Sequence, residues 1–193
     1  MGRLPIYLVS ALFVLCMVFL LFRSLIVQDA GTAESENKAV HYTSPSGLWS
    51  ANFLSEPKYS TNVFRNEFGV SSVTIEGATL DQGAELYLIR VFHYHNQDQK
   101  DLKTFLEEVV TTWSKKMPTL KLVRQNPGRF QNQPSISFSL SGENLEMLGT
   151  VFGAEDYFYL IAWVGNMNNK ELEKVGENHF ETFQNSFQVS TEQ

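Results

Sequence analysis

One cysteine, Cys16, stands among the 193 residues. That scarcity excludes a disulfide framework within the chain and any multi-cysteine zinc site. Positive charge is also in short supply. There are 15 Lys and Arg against 21 Asp and Glu, a net charge of -6, which argues against general nucleic-acid binding. The chain has no Gly-rich phosphate loop, no dinucleotide fingerprint, no H-E-x-x-H and no G-x-S-x-G. It carries no internal repeat and no second linker beyond residue 41. Charged residues make up only 19% and apolar residues 43%, so most of the length should be folded rather than a disordered acidic tail. No motif therefore names a chemistry, and the chain is expected not to be an enzyme.

What is present begins with a long apolar run. Leu4 to Phe22 carries no charge, and Leu25, Ile26 and Val27 extend the run past Arg23. Roughly 20 residues at 1.5 Å rise cross a hydrocarbon core of about 30 Å. Arg23 can snorkel to the headgroups, and Tyr7 suits the other interface. Cleavage would need a shorter apolar region and a better site than Gln28-Asp29-Ala30 or Gly31-Thr32-Ala33. Leu15 before Cys16 excludes a lipoprotein signal, and Ile6 excludes myristoylation. Cys16 reads as a small apolar residue facing lipid. Residues 4–27 are expected to be a retained single-pass transmembrane anchor. The amino group and Arg3 favour an inside start, which puts the rest outside the cytoplasm, on the periplasmic side of an inner membrane.

Residues 28–40 read as a flexible linker, since Gln28 to Lys38 is small, polar and charged. Eleven residues reach at most about 35 Å, so the domain stays near the membrane. Residues 41–189 should form one domain, long enough to bury a full core. GLWSANF alternates as a half-buried strand, and Pro57 ends that region. NVFRNEFGVSSVTIEG reads as extended, with Phe64, Val70, Val73 and Ile75 as core candidates. ELYLIRVFHYH is apolar on both faces and should be an interior strand. A helix is expected over about 99–116, with Phe105, Leu106, Val109, Val110, Trp113 and Met117 at helical spacing. Asp98 or Asp101 would cap it and Pro118 would stop it. The strands LKLVRQ, PSISFSLSG, EMLGTVFG and DYFYLIAWVG follow, the last pair joined by a hairpin at Ala154-Glu155. A last helix over about 168–184 turns Leu172, Val175, His179, Phe180 and Phe183 inward, and Phe187 returns to the sheet. Strands, helix, strands, helix make an α+β fold, a mainly antiparallel sheet flanked by two helices.

The opening SPSGLWSANF, the segment Asn126-Pro127-Gly128 before the middle strand, the Tyr-rich strand from Tyr157 to Val164 and the helix ending in Phe180, Phe183, Ser186 and Phe187 together resemble the PsbP/Mog-like α-β-α sandwich family, in particular its small bacterial exported members. The resemblance spans about residues 42–189. It implies the family's fold and action through protein contacts, as when members stabilise a photosystem's lumenal face or bind a nuclear-import GTPase. It supplies no site residue.

Several residues still merit weighing as sites. His93 and His95 share one face of a strand, as two metal ligands can, and His41, His179, Asp98 or a carboxylate could be a third. The plain alternative is a polar strand end, which is preferred, so no metal, cofactor or catalytic residue is assigned. Arg90 inside an interior strand must be paired, and a salt bridge to Glu76, Glu146 or another carboxylate is expected over an anion site. Glu107 and Glu108 diverge on a helix and read as solvated. Val109 to Gly142 holds Lys115, Lys116, Lys121, Arg124 and Arg129 with no acid, and the following residues to Phe187 hold eight acids against Lys170 and Lys174. If these stretches lie apart, the domain is an electrostatic dipole. The functional expectation is a non-catalytic, membrane-tethered interaction or assembly module with a protein partner and no nucleic acid. The alternative is a small-ligand or metal-binding sensor.

Overall fold

Alternating apolar residues give the domain its main layer. A computed structural model describes residues 39–65, 72–95, 101–168 and 170–190. Seven strands form one sheet in the order β3-β4-β5-β9-β8-β7-β6, and every pair is antiparallel. They are β3 (Lys58–Arg65), β4 (Ser72–Asp81), β5 (Glu85–His95), β6 (Lys121–Phe130), β7 (Gln133–Ser141), β8 (Leu145–Ala154) and β9 (Tyr157–Asn166). A second sheet of three strands joins β1 (Val40–Thr43), β2 (Trp49–Phe53) and β10 (Gln188–Val189).

Both faces of the large sheet are apolar, so both are covered. On one face Leu88, Leu160, Ala162, Val164, Met147 and Val151 meet helix α1 (Leu102–Lys116) through Phe105, Leu106, Val109 and Trp113. Asp101 caps α1, its carboxylate accepting from the Thr104 N–H at 2.8 Å. Asp98 lies outside the described residues. On the other face Tyr87, Ile89, Val91, Tyr159, Ile161 and Trp163 meet helix α2 (Lys170–Ser186) and the small sheet, whose Trp49, Ala51 and Phe53 are buried. Phe187, fully buried, stacks on Trp49 with ring centroids 6.1 Å apart. The α+β class, the antiparallel sheet and the two flanking helices are therefore present. β9 is central and β5 is its neighbour, as their apolar faces imply.

Three local expectations need amending. β1 begins at Val40 and pairs with β2, a strand too short and too exposed to show in the sequence. β6 continues through Asn126-Pro127-Gly128 to Phe130. It lies at the sheet edge, where a proline without an N–H breaks no ladder on its outer side. Val73 and Ile75 are half-buried, while Val70 and the Phe64 side chain lie outside the described residues. So do residues 4–27. Among the described residues no helix is long and apolar enough to cross a membrane.

Candidate functional site

The first turn of the domain builds one wall of a cleft. In Ser44-Pro45-Ser46-Gly47 the Gly47 N–H donates to the Ser44 carbonyl at 2.9 Å, with proline at the second position where its fixed φ suits a turn. Ser46 stands at the tip, 3.0 Å from the Ser44 hydroxyl. From there its own hydroxyl donates to Glu76 Oε1 at 2.5 Å. The Trp49 indole N–H donates to the same oxygen at 3.2 Å, and the Tyr59 hydroxyl donates to Oε2 at 3.1 Å. Glu76 is 8% exposed. It comes from β4, on the face that carries Ala78 and Leu80. A charged residue thus occupies an apolar-face position, and three donors on three strands or turns keep it satisfied there.

Glu76 lines an open cleft of about 250 Å³, together with Ser46, Leu48, Thr74, Val91, His93 and Tyr157. Register explains the grouping. Thr74 is opposite His93, and His93 is opposite Tyr157, so three adjacent strands contribute neighbours in one row. The His93 and Tyr157 rings are 4.7 Å apart, tilted by 40°. No Lys or Arg lines the cleft, and Glu76 makes no ion pair among the described residues. Burial and the Glu76 carboxylate push the Tyr59 hydroxyl up to about 12.

A second carboxylate, half-buried, sits at the far end of the same face. Glu85 Oε1 accepts from the Trp163 indole N–H at 2.7 Å and the Tyr87 hydroxyl at 3.1 Å, and lies 2.7 Å from His179 Nδ1. His179 is on α2, so this cluster stitches the helix to the sheet. Gly176 lets the helix come close, because a Cβ there would lie 2.5 Å from the Trp163 ring.

The sequence candidates are dispersed. His41 is 2.9 Å from Asn52 Oδ1 on β2, His179 is held by Glu85, and among the described side chains only His93 of the candidates reaches the cleft. The His95 side chain and Asp98 lie outside the described residues, and among those residues no group of three metal-ligating side chains occurs. Among the described residues Arg90 forms no salt bridge, contrary to expectation. It is opposite Gly77, so its neighbour Glu76 faces the other side of the sheet, and Glu146 belongs to β8, two strands away. Its guanidinium donates instead to the carbonyls of Ala78 at 2.9 Å and Ile89 at 2.7 Å and to the Thr79 hydroxyl at 2.7 Å. The side chain lies over Gly77, where any Cβ would strike the Ile89 carbonyl. Burial lowers its pKa to about 10.

Charge is less polarised than the sequence suggests. Arg124 of the basic stretch lies 3.4 Å from Glu177 of the acidic one, so the two meet. Glu107 is exposed beside Lys103, but Glu108 is half-buried and accepts from the Tyr94 hydroxyl at 3.4 Å. The exposed β6 edge, with Val123 67% exposed, carries a bulge, a proline and Lys121, Arg124 and Arg129. Those are features that blunt a sheet edge against pairing.

Sequence reasoning named Glu76 only as a partner for Arg90 and passed over Ser46, Thr74 and Tyr157. The one available signal was a glutamate at an apolar-face position of VTIEGATL.

No family model matches the chain, and no curated protein matches it. Solved structures do. The solution structure of cyanobacterial PsbP (CyanoP) from Synechocystis sp. PCC 6803 is similar at a TM-score of 0.47 and 10% identity, over 83% of this chain and 98% of that one. A protein of unknown function from Pseudomonas aeruginosa, PA94, is similar at a TM-score of 0.44 and 9% identity, over 80% and 99%. The chain thus bears a loose PsbP-like fold resemblance.

Proposed function

We propose that this chain is a non-catalytic, membrane-tethered interaction module, anchored by residues 4–27 with residues 28–193 outside the cytoplasm, and that it meets a protein partner through the Glu76 cleft. The observation that carries the reading is Glu76 itself, a buried carboxylate that borders open space and has no counter-cation among the described residues. Its oxygens are fixed by three donors, which suits recognition better than proton transfer. The cleft also lies near the start of the domain. Ser46 is three residues past β1, and β1 is four residues long, about 13 Å. A tether entering at Val40 would hold the cleft close to the membrane and to partners there.

The alternative, a small-ligand or metal sensor, draws on the same cleft through His93. Its volume of about 250 Å³ falls below the roughly 300–1,000 Å³ of small-molecule sites and its mouth is open, which favours one side chain of a larger partner.

The test is affinity purification of the full chain from gently solubilised, crosslinked membranes, in wild-type and Glu76→Gln forms. A stoichiometric partner retained by the wild type and lost by the variant is expected. A chain that always runs alone would overturn the reading. Protease added to right-side-out vesicles should digest the domain, and digestion only after lysis would reverse the orientation.

A further inference from the structure

We propose that the group recognised by the cleft is the ammonium of a lysine side chain on the partner. The inference rests on the cleft being the contact site and adds what it reads. The sign comes first. Glu76 offers negative charge, and among the described residues no Lys or Arg lines the cleft to neutralise it. Capacity comes next. A carboxylate has about four lone-pair positions. Ser46 and Trp49 occupy both on Oε1, and Tyr59 takes one on Oε2. One acceptor position remains. A guanidinium fork needs two in parallel, whereas an ammonium can bind through a single N–H.

The walls agree with this choice. Tyr157 lines the cleft with its ring 4.7 Å from that of His93, and a cation beside an aromatic ring is attracted by its quadrupole. Leu48 and Val91 add apolar lining that suits a methylene stem. A cleft with one acceptor position, one aromatic wall and an apolar flank matches an alkylammonium.

The probes are n-butylammonium, n-butylguanidinium and neutral 1-pentanol, titrated against the full chain in detergent by ligand-observed NMR. The ammonium should bind with a dissociation constant on the order of millimolar, and the other two more weakly. Glu76→Gln should weaken ammonium binding roughly tenfold or more. The Tyr59 hydroxyl can turn to accept from the new amide, so the fold should persist. Tyr157→Leu leaves Glu76 in place and should weaken binding about threefold. Glu85→Gln should leave it unchanged. Equal or tighter binding of the guanidinium, or an ammonium affinity indifferent to Glu76→Gln, would overturn the proposal. Loss of the partner in Glu76→Gln without any ammonium binding would overturn the lysine assignment while leaving the contact site standing. Partner capture that survives Glu76→Gln would remove the contact site and the lysine assignment together.

Discussion

Glu76 and Glu85 lie on one face of one sheet and are built from the same parts. Each is a carboxylate that accepts from a tryptophan indole and a tyrosine hydroxyl. They differ in the third partner. At Glu85 it is His179 of α2, at 2.7 Å, and the helix closes over the cluster with Gly176 against Trp163. At Glu76 it is the Ser46 hydroxyl, on a turn that lines the cleft. One carboxylate joins two layers of the fold. The other joins the large sheet to the small one through Trp49 and also faces a cleft. Satisfied hydrogen bonds are thus common to both. What separates the two is the element that supplies the third partner, a helix at Glu85 and a turn beside a cleft at Glu76.

That contrast can be broken most forcefully by deleting each carboxylate. Glu85→Ala orphans Trp163, Tyr87 and His179 and unfastens α2, and should cost roughly 3 kcal/mol. Glu76→Ala leaves its donors beside a cleft that water can enter, and should cost roughly 1–2 kcal/mol. Urea unfolding of the full chain in detergent measures both. A reversed order would mean that the Glu76 end is the stronger structural joint.

The tyrosines sharpen the same comparison at high pH. Burial first and the neighbouring carboxylate second push Tyr59 up to about 12, and push Tyr87 up as well. Between pH 10 and 12 the unfolded chain gives up the Tyr59 proton while the folded chain keeps it. Stability should therefore be full below pH 10 and fall as the pH climbs through 12. Ultraviolet titration should show Tyr59 ionising earlier in Glu76→Gln, though still above its ordinary range, because burial remains. An unchanged Tyr59 titration would mean that the carboxylate does not act on it.

The sequence carries the layers better than the site. Tyr87, Ile89 and Val91 alternate with Leu88 and Phe92, which is enough to predict an interior strand covered on both sides. The spacing of Phe105, Leu106, Val109 and Trp113 likewise gives α1 and its buried face. β1 is four residues with no buried position, so no periodicity announces it. The continuation of β6 through Pro127 depends on its being an edge, which is a property of the assembled sheet. The site is harder still. Trp49 meets Glu76 across 27 residues and His179 meets Glu85 across 94. Such partners follow only from register. The Arg90 expectation fails for the same reason. Alternation puts Arg90 and Gly77 on one face and Glu76 with Val91 on the other, and only the pairing of β4 with β5 shows which residues are opposite.

The most direct test of a cleft-lining Glu76 against a helix-bound Glu85 uses the indoles as reporters. The chain has three tryptophans. Trp49 donates to Glu76, Trp163 donates to Glu85, and Trp113, on α1, packs against the opposite face of the sheet, away from both. In a ¹⁵N correlation spectrum of the full chain in detergent, n-butylammonium should move the Trp49 indole resonance and leave those of Trp163 and Trp113 in place. Movement of Trp163 alone, or of both carboxylate-bound indoles together, would contradict the account.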